Sequence, residues 1–156
     1  CSDLIIQKLT ELGIDSIQPI ISTNSIFNQK KIDSEKKVNH WKNISISACE
    51  QSERSYTPEI KNIISFQEYI ESCETKQKIV LDTKSNKMLP KIYDHKVKSC
   101  SILIGPEGDF SNEEYEYAKE SNFSSASLGA NILRVETAAI SAFAYIKIMK
   151  NSESNE

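Results

Sequence analysis

Ser101-Ile102-Leu103-Ile104-Gly105-Pro106-Glu107-Gly108-Asp109-Phe110-Ser111-Asn112-Glu113-Glu114 reads as three consecutive pieces. Ser101 to Ile104 is a short apolar run of the kind shown by a strand buried on both faces. Gly105-Pro106-Glu107-Gly108 ends that run with two of the four glycines in the chain. Ser111 and Glu114 have the spacing of a capping box. The serine side chain accepts from a backbone N–H, the glutamate reaches back to the cap, and the spacing predicts a helix to about Ser121. Strand, glycine loop and helix in this order are the repeating unit of a parallel α/β sheet.

The same alternation continues on both sides. Downstream, Phe123 to Leu128 reads as a further strand, Gly129 follows it, and Glu136 to Met149 is apolar nearly all round, as for a helix buried on several sides or against a partner subunit. Upstream, Ile79-Val80-Leu81 is a short buried strand with a turn at Ser85-Asn86, and Phe66 to Cys73 a short helix. Farther back, Leu4 to Leu12 carries an apolar helical stripe ending at Gly13, where a left-handed residue commonly stops a helix. Ile14 to Ile21 reads as a strand around Pro19, and residues 22–34 as a polar loop. Val38, Trp41, Ile44, Ala48 and Cys49 form the face of a second long helix, with Ser34 as its N-cap and its end near Arg54. Residues 1–150 then make one α/β domain, a parallel sheet flanked by helices, and 151–156 a flexible tail. Such a sheet presents ligands at the carboxyl ends of its strands.

Composition narrows the function. The chain has 156 residues, 38% of them hydrophobic, and a net charge of -3, which argues against binding nucleic acid by bulk positive charge. A local patch remains: residues 76–98 hold seven lysines, Lys84 and Lys87 among them, against two aspartates. Such a run serves either an RNA backbone or simply a solvated face. No stretch reaches the roughly 18 apolar residues of a membrane helix. Cys1, Cys49, Cys73 and Cys100 form no C-x-x-C pair and no histidine joins them at metal spacing, so neither zinc nor a disulfide framework is expected, and reduced thiols fit a cytoplasmic protein. A first residue that is Cys and not Met suggests a piece of a longer protein.

Gly105, Gly108 and Gly129 all fall in loops directly after two of the expected strands. Glycine there allows positive φ and close approach of backbone to a ligand, enough to read a nucleoside by main-chain groups, although ordinary turns would also use it. The G-x-G-x-x-G and G-x-x-x-x-G-K-S/T cradles are absent.

Ile104-Gly105-Pro106-Glu107-Gly108, then Phe110-Ser111, Leu128-Gly129 and Ile132-Leu133-Arg134-x-Glu136-Thr137-Ala138 together resemble the carboxyl-terminal signature of the RsmE family. These are bacterial 16S ribosomal RNA uridine-N3 methyltransferases of the SPOUT superfamily. Lys8-x-x-Glu11-Leu12-Gly13 and Glu50-Gln51-x-x-Arg54 extend the resemblance upstream in matching order. Two positions depart from the pattern: Asp109 stands where the family has a second glycine, and Asn131 where it has a basic residue.

The resemblance implies a carboxyl-terminal trefoil knot that binds S-adenosylmethionine in a bent form and releases S-adenosylhomocysteine, without a metal. Leu81, Gly105, Pro106, Glu107, Gly108, Leu128, Gly129, Ile132, Leu133 and Arg134 then line the cofactor pocket. Arg134 is the candidate cation for the anion left when uracil N3 loses its proton, and Glu136 a candidate base, though a glutamate in a first helical turn is also favoured by the helix dipole. Lys8, Gln51, Arg54, Lys84 and Lys87 are the candidate RNA contacts. The implied partners are 16S ribosomal RNA or the small ribosomal subunit and a second copy of the chain, meeting through the Glu136 to Met149 helix at Ala138, Ala142 and Ala144. An amino-terminal RNA-binding β-barrel would precede this domain. A different class of protein, a non-catalytic adenosine-ligand or RNA-binding module that keeps the pocket, remains the alternative. His40 and His95 receive no role.

Overall fold

The structure, a computed structural model, describes residues 2–23, 31–53, 56–129 and 133–154. Helix α1 (Ser2–Leu12) stops at Gly13, whose φ of 79° lets its N–H turn back to the Thr10 carbonyl at 3.0 Å. The expected strand over 14–21 is instead two short ones, β1 (Ser16–Ile17) and β2 (Ile20–Ile21), separated at Gln18-Pro19, because proline has no N–H to give a ladder. Helix α2 (Lys31–Gln51) starts a turn earlier than expected, so Ser34 lies inside it and is not its cap. Strands β3 (Glu59–Ile60) and β4 (Ile64–Ser65) pair in parallel with β1 and β2.

Ser65 caps α3 (Phe66–Ser72), its hydroxyl accepting from the Glu68 N–H at 3.1 Å. Strand β5 (Gln77–Leu81) leads to the one-turn helix α4 (Leu89–Ile92), and β6 (Cys100–Leu103) to α5 (Asn112–Glu120). The capping box of α5 forms as expected: Glu114 N–H donates to Ser111 Oγ at 3.1 Å, and Ser111 N–H to Glu114 Oε1 at 2.9 Å. Strand β7 (Ser124–Ala126) precedes α6 (Val135–Ser154). The backbone stays helical through 151–154, where the sequence suggested a tail, because no glycine or proline follows Met149 and each added residue extends the ladder by one bond.

Every strand pairing among the described residues is parallel, and β5 lies between β6 and β7. Ile79 and Val80 are fully buried and, as neighbours on a strand, face opposite sides. Val80 joins Phe66, Leu103, Phe110, Tyr115 and Phe123 beneath α3 and α5. Ile79 joins Leu81, Leu89, Tyr93, Ala142 and Ile146 beneath α4 and α6. A third core, of Ile6, Val38, Trp41 and Ile60, ties α1 to α2 and β3. Ala142, expected to admit a second copy, is consumed by this chain's own core, since α6 turns its small-residue stripe toward β5. Ile148 is the apolar residue that α6 leaves to solvent, at 64% exposure.

Candidate functional site

Because β5 lies between β6 and β7, the loops leaving the carboxyl ends of these strands stand side by side. Backbone bonds lace the loop after β5 to the end of β7. Asp82 N–H donates to the Ala126 carbonyl at 2.9 Å, Ser127 N–H to that of Lys87 at 2.9 Å, and Leu89 N–H to that of Ser127 at 2.8 Å. The chain leaving β7 therefore runs along residues 82–88 before it reaches Gly129.

The two glycines that matter most do so for different reasons. Gly129 has a φ of 122°, in the region side chains rarely adopt, while the space for a Cβ there is open apart from Met88 Cε at 3.8 Å. At Gly105 a Cβ would meet the Phe110 ring at 3.2 Å, the Phe110 nitrogen at 3.3 Å and Asp109 Oδ1 at 3.3 Å. Only a bare backbone lets the loop fold over itself that closely. The left-handed residue of the 105–110 turn is Asp109, with a φ of 64°, which accounts for a glycine at this position in the pattern the sequence resembles.

Most of the cofactor-facing candidates belong to these three loops. Leu81 is buried; Gly105, Pro106, Leu128, Gly129 and Leu133 are half-buried; Glu107 and Gly108 are exposed. Ile132 lies outside the described residues. Arg134 holds the N-cap position of α6, its carbonyl accepting from the Ala138 N–H at 2.9 Å, and its side chain is exposed. Glu136, one turn in, is buried at 8% exposure.

Of the expected RNA contacts, Lys84 and Lys87 come together with Lys119 around a groove of about 560 Å³ between the 82–88 loop, α5 and β7. Asn112, Tyr115, Glu116 and Lys119 supply one wall, a spacing that is one face of α5. Ser85 and Ser125 add hydroxyls, and Ser85 donates to the Ser125 carbonyl at 3.1 Å. Beneath them the buried Asp82 carboxylate accepts from Lys84 N–H at 2.9 Å and pairs with Lys119 Nζ at 3.6 Å. Lys8, on α1, instead pairs with Glu11 at 3.3 Å, and Gln51 is exposed at the end of α2, both away from the three loops in sequence. Arg54 lies outside the described residues.

The sequence reading gives Asp82, Tyr115 and Lys119 no part in the site, and marks Asp109 only as a departure from the family pattern. The signal for Tyr115 and Lys119 was present, since the capping box fixes which residues of α5 share a face. Burial, and after it the hydrogen bond and charge of Asp109, pushes the Tyr115 phenol far above its ordinary range, so it is a standing O–H donor. Among the described residues no group of three His, Cys, Asp or Glu could hold a metal ion, and no helix is long and apolar enough to cross a membrane.

A family described as RNA methyltransferase domain matches residues 2–147. The chain belongs to that family. A ribosomal RNA small subunit methyltransferase E from Buchnera aphidicola subsp. Schizaphis graminum is 39% identical over 148 residues, covering 92% of this chain and 58% of that protein. A Legionella pneumophila protein solved in complex with the cofactor SAM superimposes with a TM-score of 0.90 at 32% identity, over 94% of this chain and 60% of that one. A ribosomal RNA small subunit methyltransferase E from Neisseria gonorrhoeae bound to S-adenosyl methionine gives 0.87 at 32% identity, over 95% and 60%. The chain thus spans about three fifths of the length of these relatives. The two glycine-bearing loops, the 82–88 loop, the groove and the α6 cap at Arg134 all fall within the span matched to the RNA methyltransferase domain.

Proposed function

We propose that this chain is the catalytic domain of an S-adenosylmethionine-dependent methyltransferase acting on N3 of a uridine in 16S ribosomal RNA. The observation that carries the reading is the pair of glycine-shaped cradles at the carboxyl edge of β5, β6 and β7, in a backbone shared with relatives solved holding SAM. Their fit to an adenosyl group is chemical: half-buried main-chain N–H and C=O groups at Gly105 and Gly129 suit an adenine edge, and Leu81, Leu128 and Leu133 offer apolar surface to its faces.

S-adenosylmethionine, when bound, supplies a methyl group on an electrophilic sulfonium. The chain's own residues position and neutralise. Uracil N3 must lose its proton before it can attack, and the charge then spreads to the two carbonyl oxygens that flank it. Arg134, exposed at the head of α6, would stabilise that charge. Glu136, buried in the first turn of the same helix, would take the proton. The groove bounded by Lys84, Lys87 and Lys119 would seat RNA backbone phosphate beside the methyl donor.

The lacing of residues 82–88 to Ser127 supports threading of the segment after β7 into a trefoil knot. The functional protein would be a cytoplasmic homodimer meeting at the exposed face of α6, with an RNA-binding β-barrel ahead of this domain. The test is methyl transfer from labelled S-adenosylmethionine to small ribosomal subunits, or to 16S RNA, by the complete protein. Mass spectrometry of the digested RNA should find 3-methyluridine. Label on another base, or none with folded enzyme, would overturn the reading.

A further inference from the structure

We propose that Asp109 and Tyr115 form a latch that holds the 105–110 loop in its donor-binding shape, making both of them positioning residues for the methyl donor. The inference rests on the methyl-donor reading above and extends it to two residues that reading does not use. Asp109 sits at the end of the turn, its N–H closing onto the Pro106 carbonyl at 2.8 Å. Its φ of 64° is a conformation that a side chain disfavours, and a glycine would adopt it freely. Aspartate tolerates it because its carboxylate can bond locally. Asp109 Oδ1 accepts from the Phe110 N–H at 2.9 Å and also from the Tyr115 O–H. The same oxygen lies 3.3 Å from where a Gly105 Cβ would be, so the latch needs the glycine at the loop's start.

The other half of the latch cannot swing. Tyr115 is buried at 9% exposure, its ring meets Phe110 edge-on with centroids 5.5 Å apart, and its N–H donates to the Ser111 carbonyl at 3.1 Å. It therefore belongs to the rigid body of α5 and core. Gly105, Pro106, Glu107 and Gly108 are the residues between the loop's start and the latch, and they are the donor-facing candidates. A glycine at 109 would keep the turn but leave the loop without its tie to α5 and the phenol without this acceptor. Preorganising a binding loop raises affinity by removing the ordering cost from the binding step.

The test uses the complete protein, with titration calorimetry for S-adenosylmethionine and S-adenosylhomocysteine, steady-state kinetics and melting temperature. Tyr115→Phe should raise the donor Kd and donor KM about tenfold, the loss of one hydrogen bond made by a charged acceptor. Asp109→Ala, which also gives up the Phe110 N–H bond and the tolerance for positive φ, should raise them by at least as much, with the loss in both carried by KM and not by kcat. The double variant should be no worse than the weaker-binding single one. Asp109→Asn keeps an acceptor oxygen and the tolerance for positive φ, and should restore most of the affinity. A Tyr115→Phe protein that binds the donor as wild type does, or that loses only melting temperature, would overturn the latch. Absence of binding in the folded wild-type protein would instead sink the methyl-donor reading itself.

Discussion

Lys119 Nζ stands 3.6 Å from Asp82 Oδ2, joining a half-exposed ammonium on α5 to a carboxylate buried at 6% exposure beyond the end of β5. The same carboxylate holds the Lys84 N–H, so one buried charge fixes both the turn after β5 and the α5 wall of the groove. An exposed ion pair is worth little, but removing the partner of a buried charge leaves that charge uncompensated.

Lys119→Ala should therefore destabilise the fold by about 1–2 kcal/mol, the exposed ammonium being partly replaced by water. In an Asp82→Asn background, which keeps an acceptor for Lys84 but no charge to compensate, the same substitution should cost close to nothing. Urea unfolding of the four proteins in the cycle measures this coupling. Equal costs of Lys119→Ala in both backgrounds would show that the pair contributes nothing.

Gly105 and Gly129 predict different failures. Gly129→Ala has room for its methyl but must hold a φ of 122°, so it should cost about 1–3 kcal/mol of stability, and truncating Met88 should not relieve it. Gly105→Ala needs no unusual φ but drives a methyl against Phe110 and its backbone nitrogen, so the loop must shift. Its main loss should be donor affinity, about tenfold or more, with a smaller change in melting temperature. Donor titration alongside thermal unfolding separates the two, and a Gly105→Ala protein with unchanged donor affinity would place the cradle elsewhere.

The elements legible in the sequence are those whose cause is local. Ser111 and Glu114 state the start of α5 within one turn, and Ile79-Val80-Leu81 is apolar on both faces because helices cover both faces of β5. What escaped reading depends on distant partners. Strands β3 and β4 are two residues each, too short to show a period, and exist because β1 and β2 lie beside them. Helix α4 is one turn, held where Leu89 donates to Ser127. Ser34 was a plausible cap by type, yet α2 continues past it toward its amino end. At the site, the glycine pattern marked the loops, but the Asp82 and Lys119 pair spans β6 and most of α5. The Asp109 latch depends on a φ value that no residue pattern states.

Two thiols, Cys73 at the carboxyl end of α3 and Cys100 at the start of β6, are shifted in opposite directions. Burial pushes Cys73 up, but hydrogen bonds with Thr75, Tyr69 and Ser101 outweigh it and hold the thiol below its ordinary value. Burial pushes Cys100 from 9.0 up to about 11, against the pull of Lys150. At pH 8, iodoacetamide should label Cys73 before Cys100. The sign for stability follows from Cys100 being raised in the folded state. Below pH 9 both states keep the proton and nothing is lost. Between pH 9 and about 11 the unfolded state ionises first, so stability falls as pH rises. Cys100→Ala should remove that part of the alkaline slope and leave the curve below pH 9 parallel to wild type.

Ala142 is buried at 0% exposure in this chain's own core, so a dimer through α6 must use what that helix leaves outside, chiefly Ile148. Ile148→Glu should convert the proposed dimer to a monomer in light scattering at tens of micromolar while donor affinity per chain persists. A dimer that survives the substitution would move the interface off this part of α6.

Arg134 is the only arginine in residues 57–156, in a chain that otherwise relies on lysine, and that choice favours a planar, multiply donating cation. Its backbone caps α6 through the Ala138 N–H, which any residue could do. Its side chain is exposed, and no ion pair or side-chain hydrogen bond ties it to another described residue. A guanidinium that braces the fold would be buried against the group it braces. Arg134→Ala should thus leave the melting temperature near wild type and lower single-turnover methylation by about a hundredfold or more, comparable to losing one donor that stabilises developing charge. Donor affinity should fall much less, and Arg134→Lys should recover only part of the rate because a point charge lacks the fork. A parallel drop in melting temperature and donor affinity would make Arg134 structural, and near-normal turnover in the alanine protein would remove it from the chemistry.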